Sequence, residues 1–102
     1  MTEHLQLSKA YLYLAKNSSD AVISLSFLLK SIEELALEKM QNNSYSSDTT
    51  NKMMEYIRNS PSLYKEYRKI LNEMTNYLLN GNSNVKELID NVEKYILTIT
   101  NN

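Results

Sequence analysis

Three features of this sequence predict an all-α chain, folded as a compact antiparallel bundle of four main helices plus one short helix. Its 102 residues include one glycine and one proline, too few to punctuate a sheet or a loop-rich fold. Its apolar residues recur at the three-and-four spacing of helices. No stretch alternates apolar and polar residues as a half-buried strand would. The length suits a single domain, 1–102, large enough to bury a core without staples.

The first helix is predicted over 3–16. Leu7, Ala10, Tyr11 and Leu14 fall on one side of it and Leu5, Leu12 and Ala15 on another, so it has two apolar sides. Asn17, Ser18, Ser19 and Asp20 make a polar break short enough to turn the chain into a helical hairpin, and Ser or Asp there can cap the next helix. That helix, 20–40, is the longest and most apolar run. Ala21, Leu25, Leu28, Leu29, Ile32, Leu35 and Ala36 occupy an arc of roughly 120°, the width of a core-facing stripe. Ile23 and Phe27 stand on the opposite side, where Glu33, Glu34 and Glu38 follow in the second half. A helix apolar on two faces needs two packing partners, either within the domain or from another chain. Ser24, Ser26 and Ser31 flank the second face, and such small side chains permit close approach.

Residues 42–50 (NNSYSSDTT) read as a loop, because side chains of this kind compete with the helical backbone for hydrogen bonds. Tyr45 within it is either a lid on the bundle or an exposed aromatic. Thr50 or Asn51 can cap a short helix ending at Asn59, with Met53, Met54 and Ile57 facing inward. Ser60-Pro61 ends it and starts the next, since proline is favoured at a first helical position. Over 61–79, Leu63, Tyr64, Tyr67, Ile70, Leu71, Met74, Tyr77 and Leu78 fill an arc of roughly 140°. Asn80-Gly81 is a strong stop. Asn84 with Glu87 resembles a capping box, opening a last helix whose stripe is Val85, Leu88, Ile89, Val92, Tyr95, Ile96 and Ile99.

The same residues exclude most chemistries. There is no cysteine, hence no disulfide, thiolate nucleophile or Cys-ligated metal. The only histidine, His4, lies where chain ends fray, and no serine has a histidine base to activate it. With one histidine, the paired Glu-x-x-His motifs of di-iron bundles cannot be built. Glu34 and Glu38, one turn apart, could share a cation or form a solvated acidic face. A single glycine in a helix-ending turn leaves no phosphate loop. No catalytic residue, metal or cofactor is therefore assigned. A net charge of -1 exerts no global pull on nucleic acid or membrane. The uncharged run 21–29 is about half a membrane span, and the start lacks the pattern of a signal peptide, so the expectation is a soluble cytoplasmic protein. Asn17-Ser18-Ser19 and Asn42-Asn43-Ser44 fit the glycosylation sequon but read more simply as loop and cap residues.

Two surfaces stand out. From Lys52 to Lys69 there are five basic residues against two acidic ones, with tyrosines interleaved. Arg58, Lys65, Arg68 and Lys69 are the candidates for holding phosphates or an acidic partner, against the alternative of an ordinary solvated face. The chain also has eight tyrosines, and Tyr is common where a dry ring edge meets a wet hydroxyl, as at interfaces. Tyr67, Tyr77 and Tyr95 suit bundle-edge positions. Tyr13, away from both apolar sides of its helix, joins Ile23 and Phe27 as a candidate partner interface.

The segment LSKAYLYLAKNSSDAVISLSFLLKSIEELALEKM resembles the opening of HEPN-like domains and related PaREP-type helical proteins. The matching residues are Ala10, Leu14, Ala15, Asp20, Ala21, Lys30, Ile32, Glu33, Leu35 and Ala36, and VKELIDNVEKYILTI is similar to the closing helix of that family. The resemblance implies a bundle of four to five helices, often dimeric, sometimes a metal-independent ribonuclease or toxin paired with a nucleotidyltransferase. The nuclease of that family requires an Arg followed by His across four to six residues. After Arg58 those places hold Leu63, Tyr64 and Lys65, and after Arg68 they hold Glu73, Met74 and Thr75, so no nuclease residue carries over. The expected function is non-catalytic association, as a homodimer through the Ile23 and Phe27 face. The alternative is a nucleic-acid-linked role through the basic face, or as a diverged ribonuclease.

Overall fold

The computed structural model describes residues 3–41 and 46–100. Over them the chain forms five helices and no strand: α1 (Glu3–Lys16), α2 (Ala21–Lys39), α3 (Thr49–Arg58), α4 (Pro61–Asn80) and α5 (Val85–Thr100). Tyr45 and the sequon at Asn42 lie outside the described residues. None of these helices is long and apolar enough to cross a membrane.

Local chemistry accounts for the boundaries. Asp20 caps α2 by accepting the Ile23 N–H at 3.0 Å. Pro61 opens α4, and Gly81 closes it in the left-handed conformation, φ 75°, its N–H donated to the Tyr77 carbonyl. At the end of α2 no glycine is available, and Gln41 takes the left-handed position itself at φ 56°.

Two starts differ from expectation. The predicted loop is shorter, because α3 begins at Thr49 instead of after a Thr50 or Asn51 cap. The Thr49 hydroxyl accepts the Ser46 N–H at 2.7 Å and so closes the turn in front of the helix. At α5, the Asn84 N–H that a capping box would give to Glu87 is donated instead to Glu73 on α4, at 2.8 Å. A tertiary partner displaces the local one.

The core is built around α2, which packs against all four other helices. Leu25, Leu28, Ile32 and Leu35 are completely buried, together with Ile57, Leu63, Ile70 and Val92 from the surrounding helices. The radius of gyration, 13.3 Å, is that of a compact domain of this length. On α4 the apolar arc is wider than the groove that receives it: Leu63 and Ile70 are buried, while Leu71 and Leu78 on its flank are 37% and 72% exposed. On α1 only one of the two apolar sides enters the core. Leu12 and Ala15 are buried there with Ser8 beside them, whereas Leu14 is 43% exposed.

The α1–α2 seam is closed by serines. The Ser8 hydroxyl donates to the Ser31 carbonyl at 2.9 Å and the Ser31 hydroxyl donates to the Ser8 carbonyl at 2.8 Å, with both side chains fully buried. Two turns along, buried Ser24 donates to the Ala15 carbonyl at 2.8 Å, satisfying one of the carbonyls left open at the end of α1. A helical carbonyl keeps a second lone pair beyond its own ladder bond, so these bonds cost the helices nothing. Ser8 meets Ser31 and Ala15 meets Ser24, so residue numbers rise along one helix as they fall along the other. Ser26, also expected to flank the second apolar face, is exposed and donates to the Val22 carbonyl of its own helix.

Ser31→Leu should overpack this seam and lower unfolding stability by about 1–3 kcal/mol, whereas Ser31→Ala should cost about 0.5–1.5 kcal/mol; urea denaturation separates the two. Gln41→Gly should raise stability by about 1 kcal/mol in the same assay, because glycine adopts a positive φ without the Cβ clash.

Candidate functional site

With α1 fixed against the Ser24 and Ser31 side of α2, the opposite side of the hairpin is set as well. Along α2 the stripe Ile23, Phe27, Lys30, Glu34 follows the four-and-three spacing of one helix face. Along α1, Leu7, Tyr11 and Leu14 do the same. The two stripes meet where the Phe27 ring lies on Tyr11, centroids 6.1 Å apart and planes 25° from parallel. Because Ala15 sits level with Ser24, Leu14 sits level with Leu25, between Ile23 and Phe27 in height. Ile23 is 49% exposed, Leu14 is open, and Phe27 is half-buried against the core. The result is an apolar surface with a stacked aromatic pair at its centre.

Tyr13 is 65% exposed but does not belong to this surface. It lies two residues from Tyr11, which at about 100° per residue turns it roughly 160° away. Leu14 occupies the place expected of Tyr13. Both of its neighbours were visible in the pattern of α1, and only the choice of which side entered the core was not.

Farther along α2 the same face becomes polar. His4, expected at a fraying end, is held instead: its Nδ1 lies 2.7 Å from a Glu34 carboxylate oxygen, with both side chains largely buried. Here α3 leans over the face and leaves a cleft of about 320 Å³ whose lining includes Tyr11, Lys30, Glu33, Glu34, Thr50 and Met53. Leu37, outside the predicted stripe, is buried and shares the lining of this cleft with α3 residues. Glu33 is half-buried, with Lys30 Nζ at 3.9 Å from one oxygen and the Tyr67 hydroxyl donating to the other at 3.4 Å. Burial raises its pKa, Lys30 and the Tyr67 bond oppose that shift, and Glu34 adds to it. Burial and the neighbouring Glu33 likewise raise the Tyr67 pKa, which keeps its hydroxyl proton in place. Among the described residues no group of three His, Cys, Asp or Glu side chains is arranged to hold a metal.

The candidate basic residues are divided. Lys65, Arg68 and Lys69 share one side of α4, and Arg58 ends α3 before the Ser60-Pro61 junction. Lys69 Nζ is 3.9 Å from Glu66, and the Arg68 guanidinium lies 5.9 Å from the centre of the Tyr64 ring. The other Glu66 oxygen is buried and has no hydrogen-bond partner among the described residues.

Comparisons of the chain with protein-family models, with curated proteins and with solved structures find no match.

Because burial lifts the Glu33 carboxyl above its ordinary value of 4.5, the folded state binds that proton more tightly than the unfolded chain. The stability this group contributes is present below the ordinary pKa and lost as pH rises through the raised one. Glu33→Gln should therefore be more stable than the parent in urea at about pH 7, with the advantage gone by about pH 3.5.

Proposed function

We propose that this chain is a non-catalytic helical module of the HEPN-like kind, an antiparallel bundle of four main helices and one short one, which works in the cytoplasm by protein–protein association as a homodimer. The observation that carries the proposal is the apolar surface of the α1–α2 hairpin. Ile23 and Leu14 are left bare on neighbouring helices around the Tyr11–Phe27 stack, in a chain whose other large apolar α2 side chains are buried or partly buried. Apolar area of this kind gains about 25 cal/mol for each Å² removed from water, and a clustered patch gains it in one docking event. Ile23 lies on the side of α2 away from the buried core while Phe27 bridges the two, so the exposed part of the patch can be covered without disturbing the fold.

A nucleic-acid role through Lys65, Arg68 and Lys69 has weaker support. One of the three cations is already close to a carboxylate in its own helix, and the footprint is small for phosphate binding, in which each contact contributes separately to the salt dependence.

Ile23→Asp tests the proposal most cleanly, because Ile23 is half in water whereas Phe27 also supports Tyr11. Sedimentation equilibrium should show the variant as a monomer where the parent is a dimer, with far-UV helicity unchanged and a urea midpoint equal to that of the parent at concentrations where the parent is itself dissociated. A variant that stays dimeric contradicts the assignment of this surface. Phe27→Asp should dissociate the dimer and also lower the urea midpoint.

A further inference from the structure

Charge at both ends of the bare α2 face specifies what covers it. Reading along the face, Asp20, Ile23, Phe27 and Lys30 are spaced three, four and three residues apart, the spacing of a two-helix seam. The acid stands at the N-terminal end of the apolar pair and the base at the C-terminal end. Both are exposed, Asp20 using one carboxylate oxygen to cap α2 and Lys30 lying with its side chain 61% open, its Nζ 3.9 Å from Glu33 of the same helix and able to swing across the seam. An acid and a base placed symmetrically about an apolar centre are self-complementary under a two-fold axis.

We infer that a second copy of this chain packs its α2 antiparallel against this α2, with the two-fold axis level with residue 25, so that Ile23 meets the partner's Phe27 and Asp20 meets the partner's Lys30. The inference rests on the association reading above and adds the register. Leu25 itself points into the core, so the axis passes through a gap between Ile23 and Phe27 instead of through a large side chain.

Neighbouring arrangements are worse for identifiable reasons. A parallel pairing sets Asp20 against its own copy and Lys30 against its own copy. An antiparallel pairing centred on Phe27 sets Asp20 against the partner's Glu34 and gives Lys30 no acid across the seam. Centring on Ile23 carries Phe27 and Lys30 past the N-terminal end of the partner's α2, which begins at Ala21, so neither meets that helix. Exposed ion pairs contribute little to affinity, but like charges at the same places penalise the wrong registers, which is how charge selects a pairing.

The register is read by cross-linking, since the chain has no cysteine of its own. Ile23→Cys and Phe27→Cys are prepared separately, each is shown to be dimeric and helical, and the two are mixed and oxidised in air. The inferred register predicts that disulfide-linked chains form faster in the mixture than in either variant alone. Only a thiol at position 23 facing a thiol at position 27 of the other chain brings Cβ atoms to disulfide distance. Equal or faster linking within either variant alone overturns the register and leaves the association reading standing. A parent dimer whose variants never cross-link places the contact elsewhere and overturns both, and a parent that is monomeric removes the reading beneath the inference.

A second measurement does not depend on Phe27. Asp20→Asn keeps the cap of α2, since asparagine caps as well as aspartate, while removing the charge. Asp20→Asn and Lys30→Gln should each raise the dimer dissociation constant about fivefold, and the double variant should be no worse than either single one. Effects that simply multiply overturn the pairing of these two residues.

Discussion

The pair of reciprocal hydroxyl–carbonyl bonds between Ser8 and Ser31 is the constraint on which the rest of the molecule depends. Serine is small enough to let the α1 and α2 backbones approach, and each hydroxyl has one proton, which the facing carbonyl accepts. A larger apolar residue at either place would hold the helices apart, and a smaller one would leave the seam without direction. Ser24 repeats the device at the end of α1. Together they fix both the distance between the helices and the rotation of each about its axis. Once that rotation is set, Leu25, Leu28, Ile32 and Leu35 face the remaining helices, Ile23 and Leu14 face out, and Phe27 and Tyr11 stack half-buried between them.

Much of the fold was legible because single residues carried it. Asp20, Pro61 and Gly81 set helix boundaries by their own covalent chemistry, and the α2 and α5 stripes were narrow enough to have one reading. The misreadings arose where a distant residue decided. Asn84 gives its N–H to Glu73, eleven residues back on another helix. The α4 stripe predicted that Leu71 and Leu78 would be covered, but an apolar arc shows only what could be buried, and the number of neighbours shows what is. The serines of α2 were read as permitting close approach beside the second face, while the helix that approaches, α1, was not legible from them.

The candidate surface divides along similar lines. Ile23 and Phe27 could be found from sequence because they break the pattern of an otherwise one-sided helix. Tyr13 was chosen for its isolation, whereas membership of a surface depends on height and rotation relative to α2, which only the seam determines. His4 and Glu34 are thirty residues apart and carry no local signal of their pairing. The cleft beside them depends on where α3 leans, and the polar, low-complexity segment before α3 says nothing about direction.

The central claim is that the outer α2 face is covered by a second copy of the chain, and the most direct measurement is the solution mass of the unmodified protein by light scattering across a concentration series, with absorbance at 260 and 280 nm recorded on the same peak. The prediction is a species of twice the 11.9 kDa of one chain, free of nucleic acid. A mass of 11.9 kDa at every concentration would contradict it, and a peak that carries nucleic acid would move attention to Lys65, Arg68 and Lys69.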